Sequence, residues 1–358
     1  MDYQQRRARL VKKMTGQGQG ALIISSYENR RYYSGFSGSF GFLVITADQT
    51  ILLTDGRYRD QAKEEAPDID LAIVGGMTAA SKLADVLEAV GQEPIGFDGR
   101  LASYPTYQML AGLFGSDRLV DLSPLIDGQR AVKDADEIAL IGQAEAIGDA
   151  AFQLACEKIT AGMTEVDVAL ILETEMRRRG AQGTSFDTIV ASGARAALPH
   201  GLASLKALER GDLVVMDFGC RYQGYCSDMT RTVAIGEPGD QLKDLYQLVL
   251  KAQQACLSQA RAGVIGADIH QVAVDIFKEA GMNQYFGHGL GHSLGLEIHE
   301  KPVFSPSEKK PLAENVAITV EPGLYLPGQG GVRIEDVIVL TKDGHQNLTG
   351  SPKDLLIL

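Results

Sequence analysis

Residues 212–233 read Asp212-Leu-Val-Val-Met-Asp217-Phe-Gly-Cys-Arg-Tyr-Gln-Gly-Tyr-Cys-Ser-Asp228-Met-Thr-Arg-Thr-Val233. An apolar run ends in an acid, a turn at Tyr222-Gln223-Gly224 reverses the chain, and a second acid opens the return run. The pattern predicts two neighbouring strands with Asp217 and Asp228 nearly opposite one another. A related arrangement follows: Ala317-Ile318-Thr319-Val320-Glu321-Pro322-Gly323 ends a strand pattern, and Glu321 and Glu335 flank a turn centred on Pro327-Gly328-Gln329-Gly330. Asp217 and Glu321 are separated by 104 positions.

The surrounding sequence repeats in step. A long helical pattern starts near Asp134, with Ile138, Ile141, Ala144, Ile147, Ala151, Leu154 and Ile159 on one stripe. A second helix follows Gly162, with Thr164 as N-cap, Glu165 and Asp167 in its first turn and three arginines before Gly180. Helical patterns recur over Asp240 to Ala262 and Gly263 to Gly281. Gly162 matches Gly263, Asp167 matches Asp268 and Gly180 matches Gly281, each at an offset of 101. Residues 131–358 therefore read as two copies of a helix-helix-hairpin unit about a pseudo-two-fold axis.

Ahead of this duplication lies a smaller α/β unit. A helix is expected within residues 1–20, strands at Ala21–Ile24, Gly41–Ile45 and Ile51–Leu53, and helices near 57–66, 78–91 and 104–115. Ser123-Pro124-Leu125-Ile126-Asp127-Gly128 reads as a linker, which gives domains of 1–126 and 131–358 in an α/β (α+β) chain.

Composition narrows the partners. The 358 residues carry 34 Lys plus Arg against 46 Asp plus Glu, a net charge of −12, which argues against nucleic acid and anionic membrane surfaces. There is no apolar leader pattern and no long apolar run, and Cys156, Cys220, Cys226 and Cys256 form no CxxC pair, so a cytoplasmic chain with reduced thiols is expected.

Carboxylates among Val, Ile and Met require compensation by shared protons, arginines or metal ions. Three of the six histidines, His288, His292 and His299, fall in Gly287-His288-Gly289-Leu290-Gly291-His292-Ser293-Leu294-Gly295-Leu296-Glu297-Ile298-His299-Glu300. Such glycine density suggests close backbone approach. The HEXXH zinc helix is absent, as are cysteine-rich zinc patterns. An oxygen-rich set with one histidine suits Mn²⁺, Co²⁺ or Fe²⁺, and two such ions would bring the net charge from −12 to −8. A two-metal site acidifies a bridging water, polarises a carbonyl and stabilises an oxyanion, the parts needed for amide hydrolysis.

These segments resemble the pita-bread metallopeptidases, specifically the proline-directed branch of Xaa-Pro aminopeptidases and Xaa-Pro dipeptidases (prolidases). The resemblance spans nearly the whole chain. It includes Asn29-Arg-Arg-Tyr32-Tyr-Ser-Gly35-Phe36, Leu53-Thr-Asp-Gly-Arg57-Tyr58, Ser192-Gly193 and Leu198-Pro199-His200-Gly201 beside the acidic and histidine motifs. It implies a small N-terminal creatinase/prolidase-like domain, a C-terminal pita-bread catalytic domain, a homodimer and two divalent ions, Mn²⁺ or Co²⁺ foremost, then Fe²⁺ or Zn²⁺. Carried over by motif, Asp217 is a terminal ligand of one ion and Asp228 bridges both. His292 and Glu321 bind the second ion, and Glu335 bridges again. The resemblance places His200 and His299 on the scissile carbonyl and its oxyanion, makes Glu321 the proton shuttle beside a metal-bound hydroxide, and puts His288 in the proline pocket. Tyr325 and Arg333 fall at supporting or substrate-binding positions.

The implied substrates are peptides with proline second, whose tertiary amide lacks an N–H. Dipeptidase members often carry an arginine after His-Glu-x-Pro, but His299-Glu300-Lys301-Pro302 is followed here by Val303. Without that bidentate clamp the expectation leans to an Xaa-Pro aminopeptidase. A dipeptidase, with Lys301 or Arg333 holding the substrate carboxylate, is the alternative, and a non-catalytic peptide-binding protein on the same fold is the reading from another class. Methionine aminopeptidases lack the N-terminal domain, and creatine-type amidinohydrolases have lost ligands that this chain keeps.

Overall fold

The computed structural model describes residues 1–75 and 78–358 and divides into two compact units, Met1–Arg130 and Ala131–Leu358. The first is built on a six-stranded mixed sheet. Its order is Asp70–Ile73, Thr50–Thr54, Phe42–Thr46, Ala21–Ile24, Ile95–Phe97 and Leu119–Asp121. The strands Ala21–Ile24, Phe42–Thr46 and Thr50–Thr54 pair antiparallel, the first two joined through the helix Tyr27–Ser34 and the last two by a short turn, while the outer strands add in parallel. Helices Tyr3–Thr15, Arg59–Glu65, Ala79–Leu87 and Tyr104–Phe114 fall within the stretches expected to be helical.

The expected linker is instead the helix Ser123–Arg130. Pro124 stands in its first turn, where no intrahelical N–H is needed, and Ile126 and Arg130 are buried one turn apart. Arg130 Nη1 donates to Asn29 Oδ1 at 2.9 Å within the same unit. Tertiary burial thus overrides the turn signal of Asp127-Gly128.

The second unit carries the duplication in its backbone. Helices Ala135–Lys158 and Glu165–Arg178 cover one sheet, Ile189–Ser192, Leu213–Phe218 and Met229–Ala234. Helices Asp240–Gln259 and Gly266–Glu279 cover the other, which centres on Ala317–Val320 and Asp336–Thr341. Capping boxes Asp134/Glu137 and Thr164/Asp167 start the first helix pair. In the first copy Gly162 N donates to Leu208 O and Leu208 N to Met163 O; in the second Gly263 N donates to Leu312 O and Leu312 N to Val264 O. Gly162 and Gly263 share the left-handed conformation, at φ +93° and +85°.

The halves meet through hydrogen bonds between their hairpins. Glu335 N donates to Thr230 O at 3.1 Å, and Thr232 Oγ1 donates to Arg333 O at 2.9 Å. Among the described residues no helix is long and apolar enough to cross a membrane. All four cysteines are free thiols.

Candidate active site

The acids are placed by strand register. Asp217 pairs with Thr230 on the neighbouring strand, so Asp228, two residues on, is its diagonal neighbour on the same face rather than its direct opposite. In the second half Val320 pairs with Asp336, and one further step sets Glu321 opposite Glu335. The turn between them is the hairpin Gly323–Leu326 with Gly330–Arg333. His292 comes from the strand Gly291–Ser293, which lies so close to the Glu321 strand that a Cβ on Gly291 would fall 2.0 Å from Thr319 O. That is why the histidine segment needs glycine there.

These residues converge on the floor of a cavity of about 950 Å³ lined by Asp217, Asp228, His200, His288, His292, His299, Glu321, Tyr325, Arg333 and Glu335 among others. All ten side chains named from sequence line it. Asp228, His292 and Glu335 offer ligand atoms within 4.8 Å of one another. His292 Nε2 lies 3.5 Å from Asp228 Oδ2 and 3.4 Å from Glu321 Oε1. Asp217 is engaged differently: its Oδ2 accepts from Arg333 Nη2 at 2.6 Å, and its buried Oδ1 has no partner.

Burial and mutual repulsion dominate the electrostatics of the acids. Burial first, then Glu335, Asp217 and Glu321, hold the Asp228 carboxyl well above its ordinary range. Burial and the neighbouring Glu321 and Asp217 do the same to Glu335, whose Oε1 is buried without a hydrogen bond. Burial raises Glu321 to about 8 although Arg333 opposes it. Burial lowers His292, so its ring is neutral, and with Nδ1 at 3.2 Å from Ser293 O the proton sits on Nδ1. The Nε2 lone pair therefore faces the Asp228 and Glu321 carboxyl groups. Oxygen donors plus one imidazole nitrogen, with orphaned buried oxygens, fit divalent metal binding.

Arg333 and Tyr325 are buried, not strand-edge surface residues. Arg333 Nη1 donates to Tyr325 Oη at 2.6 Å, and Tyr325 Oη lies 3.0 Å from His288 Nε2. His288 Nδ1 is 2.7 Å from Gly289 O, so it donates there and Nε2 accepts the tyrosine proton. Burial and then Arg333 lower His288 to about 4, which keeps the ring neutral. His200 and His299 are exposed at the cavity, and the His299 ring stands 4.4 Å from that of His292.

With this geometry in place, the family comparison is decisive. Residues 139–342 match the model of metallopeptidase family M24, and residues 6–132 match the creatinase/prolidase N-terminal domain. The chain belongs to metallopeptidase family M24. This peptidase is 37% identical over 354 residues to an Xaa-Pro dipeptidase of Pyrococcus furiosus, covering 98% of this chain and 99% of the relative. It superposes on an Xaa-Pro dipeptidase from Bacillus anthracis with a TM-score of 0.96, at 38% identity and full coverage of both chains. An X-Pro aminopeptidase from Thermotoga maritima matches with a TM-score of 0.91 and 40% identity, over 98% of this chain and 99% of that one. Family members use divalent metals, and Asp228, His292 and Glu335 on the cavity floor form a group able to hold one.

Several contributors escaped the sequence reading. Thr230 and Thr319 donate to Glu335 and Glu321. Glu145, buried on the first long helix, accepts from Asp228 N at 2.9 Å. Lys133 and Glu300 form a buried pair at 3.0 Å next to His299. Only Thr230 left a usable signal, since it shares the strand face of Asp228 two residues on.

Proposed function

We propose that the peptidase hydrolyses the bond between an N-terminal residue and proline in Xaa-Pro dipeptides, with Asp217, Asp228, His292, Glu321 and Glu335 holding two divalent ions, Mn²⁺ or Co²⁺. The observation that carries this reading is the convergence of His292 Nε2, 3.5 Å from Asp228 Oδ2 and 3.4 Å from Glu321 Oε1, beside the buried and unpartnered Glu335 Oε1 and Asp217 Oδ1, a donor set that suits divalent ions. When bound, such ions supply Lewis acidity to the scissile carbonyl and acidify a water.

The chain's own groups do the rest. His299 and His200, on the open side of the cavity, hydrogen-bond the carbonyl oxygen as negative charge builds there. Glu321, with Oε1 taken by Thr319, has Oε2 to receive a proton from the attacking water and pass it to the leaving nitrogen. His288, kept neutral by burial and Arg333 and oriented by Tyr325 and Gly289, forms an uncharged wall for the proline ring.

The dipeptidase reading replaces the lean towards longer peptides. The relatives from P. furiosus and B. anthracis are Xaa-Pro dipeptidases, and the cavity holds a cation for a free carboxylate. Arg333 is not that cation, because its donors go to Thr230, Tyr325, Pro199 and Asp217. Lys301 lines the same cavity and has no hydrogen bond or ion pair among the described residues. Val303 and the T. maritima aminopeptidase favour the second reading, an Xaa-Pro aminopeptidase. Hydrolysis of Ala-Pro and Ala-Pro-Ala, measured before EDTA, after it and after Mn²⁺ add-back, separates the two. Metal-dependent preference for Ala-Pro is expected; preference for Ala-Pro-Ala would establish the second reading, and no cleavage of either would leave a binding protein.

A further inference from the structure

The cavity floor contains two buried hydroxyls that the reaction does not consume. Thr230 and Thr319 are both 0% exposed. A threonine hydroxyl has one proton to give and two lone pairs to receive. Thr230 Oγ1 receives Arg333 Nε–H at 3.0 Å and gives its proton to Glu335 Oε2 at 2.7 Å. Thr319 Oγ1 receives His292 N–H at 3.0 Å and gives its proton to Glu321 Oε1 at 3.1 Å. In each case an N–H from another part of the site occupies the oxygen and leaves the hydroxyl proton directed at a glutamate.

The consequence is a fixed carboxylate rotation. In Glu335 the bond takes Oε2 and leaves Oε1 buried and without a hydrogen bond, free to serve as a ligand. In Glu321 it fixes Oε1 at 3.4 Å from His292 Nε2, a spacing at which both atoms share one ion. A carboxylate free to rotate would spend part of its time with the wrong oxygen inward, at a cost in affinity.

We propose that Thr230 and Thr319 are positioning residues that set the rotation of Glu335 and Glu321 before metal arrives. The inference rests on the metal-site reading above. Thr230, through Arg333, also ties Glu335 to Asp217, so one buried chain of bonds spans both halves of the duplication.

The test is calorimetric titration of EDTA-stripped full-length protein with MnCl₂, comparing wild type with Thr230→Val, Thr230→Ser, Thr319→Val and Thr319→Ser. Valine keeps the shape and removes the proton, whereas serine keeps the proton. The valine variants should bind Mn²⁺ about 10- to 100-fold more weakly, the range for partners that orient metal ligands. The serine variants should stay within about threefold of wild type, since the orienting bond survives. Valine variants that bind like wild type, or serine variants as weak as valine, would overturn the inference while leaving the metal site intact. Wild type that takes up no Mn²⁺ would overturn the metal-site reading and this inference with it.

Discussion

The floor and the rim of the cavity are built on opposite principles. On the floor, Asp228, Glu335 and Arg333 are buried, and their backbone or side-chain groups are held by partners more than eighty residues away in sequence. At the rim, His200, His299, Asp187 and Lys301 are exposed, and Asp187 and Lys301 have no partner among the described residues. On the proposed reading the floor is organised for ions before they arrive, whereas the rim leaves its charges available to the substrate. Substitutions on the floor should therefore change metal content, and those at the rim should change turnover or substrate preference.

The largest effect is expected from Glu335→Ala or Asp228→Ala. If these carboxylates hold the proposed ions, their loss should remove metal and lower kcat/KM by about 10³-fold or more, given that metal catalysis supplies several kcal/mol. Metal analysis alongside Ala-Pro turnover checks this, and normal turnover in either variant would break the floor's assignment.

His299→Ala comes next. Its turnover should fall about 10²-fold, as for a lost oxyanion donor, with metal content unchanged. Metal loss equal to that of His292→Ala would move His299 from the rim to the floor.

The metal-free protein offers a pH signature of the floor. Asp228, Glu335 and Glu321 have folded-state pKa values above those of an unfolded chain, so the folded state binds more protons. For Glu321 that contribution to stability is fully present below pH about 4.5 and is lost as pH rises through about 8, and Asp228 and Glu335 act in the same direction. Melting temperatures of EDTA-treated protein should fall across that window and flatten when Mn²⁺ is added. A metal-free protein that gains stability from pH 5 to 8 would contradict the burial of these acids.

The smallest effect sharpens the rim. Lys301→Met should weaken kcat/KM for Ala-Pro about tenfold, as expected for losing one hydrogen bond to a charged group, and leave Ala-Pro-amide unaffected. Equal changes on both substrates would show that Lys301 does not read the carboxylate.

The same division explains what the sequence revealed. Strand-ending acids, the glycine-spaced histidines and the 101- and 104-residue offsets are local patterns repeated along the chain, so the duplicated fold and the floor's residues were legible. The strands Asp70–Ile73, Ile95–Phe97 and Leu119–Asp121 were not, because each is short and carries an acid or a glycine, whereas the equally short Ala21–Ile24 is an unbroken apolar run. Helix Ser123–Arg130 hid behind a proline and an Asp-Gly pair. Pairings such as Lys133 with Glu300 or Thr230 with Glu335 join residues 167 and 105 positions apart, and no periodicity encodes the partner. The commitment of Arg333, which removes it as a carboxylate anchor, became visible only when its four contacts were in place.

The central claim is that the floor binds two metal ions. Anomalous diffraction at the manganese edge, from crystals of the full chain equilibrated with MnCl₂, tests it most directly. Two peaks are expected, contacted between them by Asp217, Asp228, His292, Glu321 and Glu335. Peaks elsewhere, or none at a concentration that supports turnover, would contradict the account.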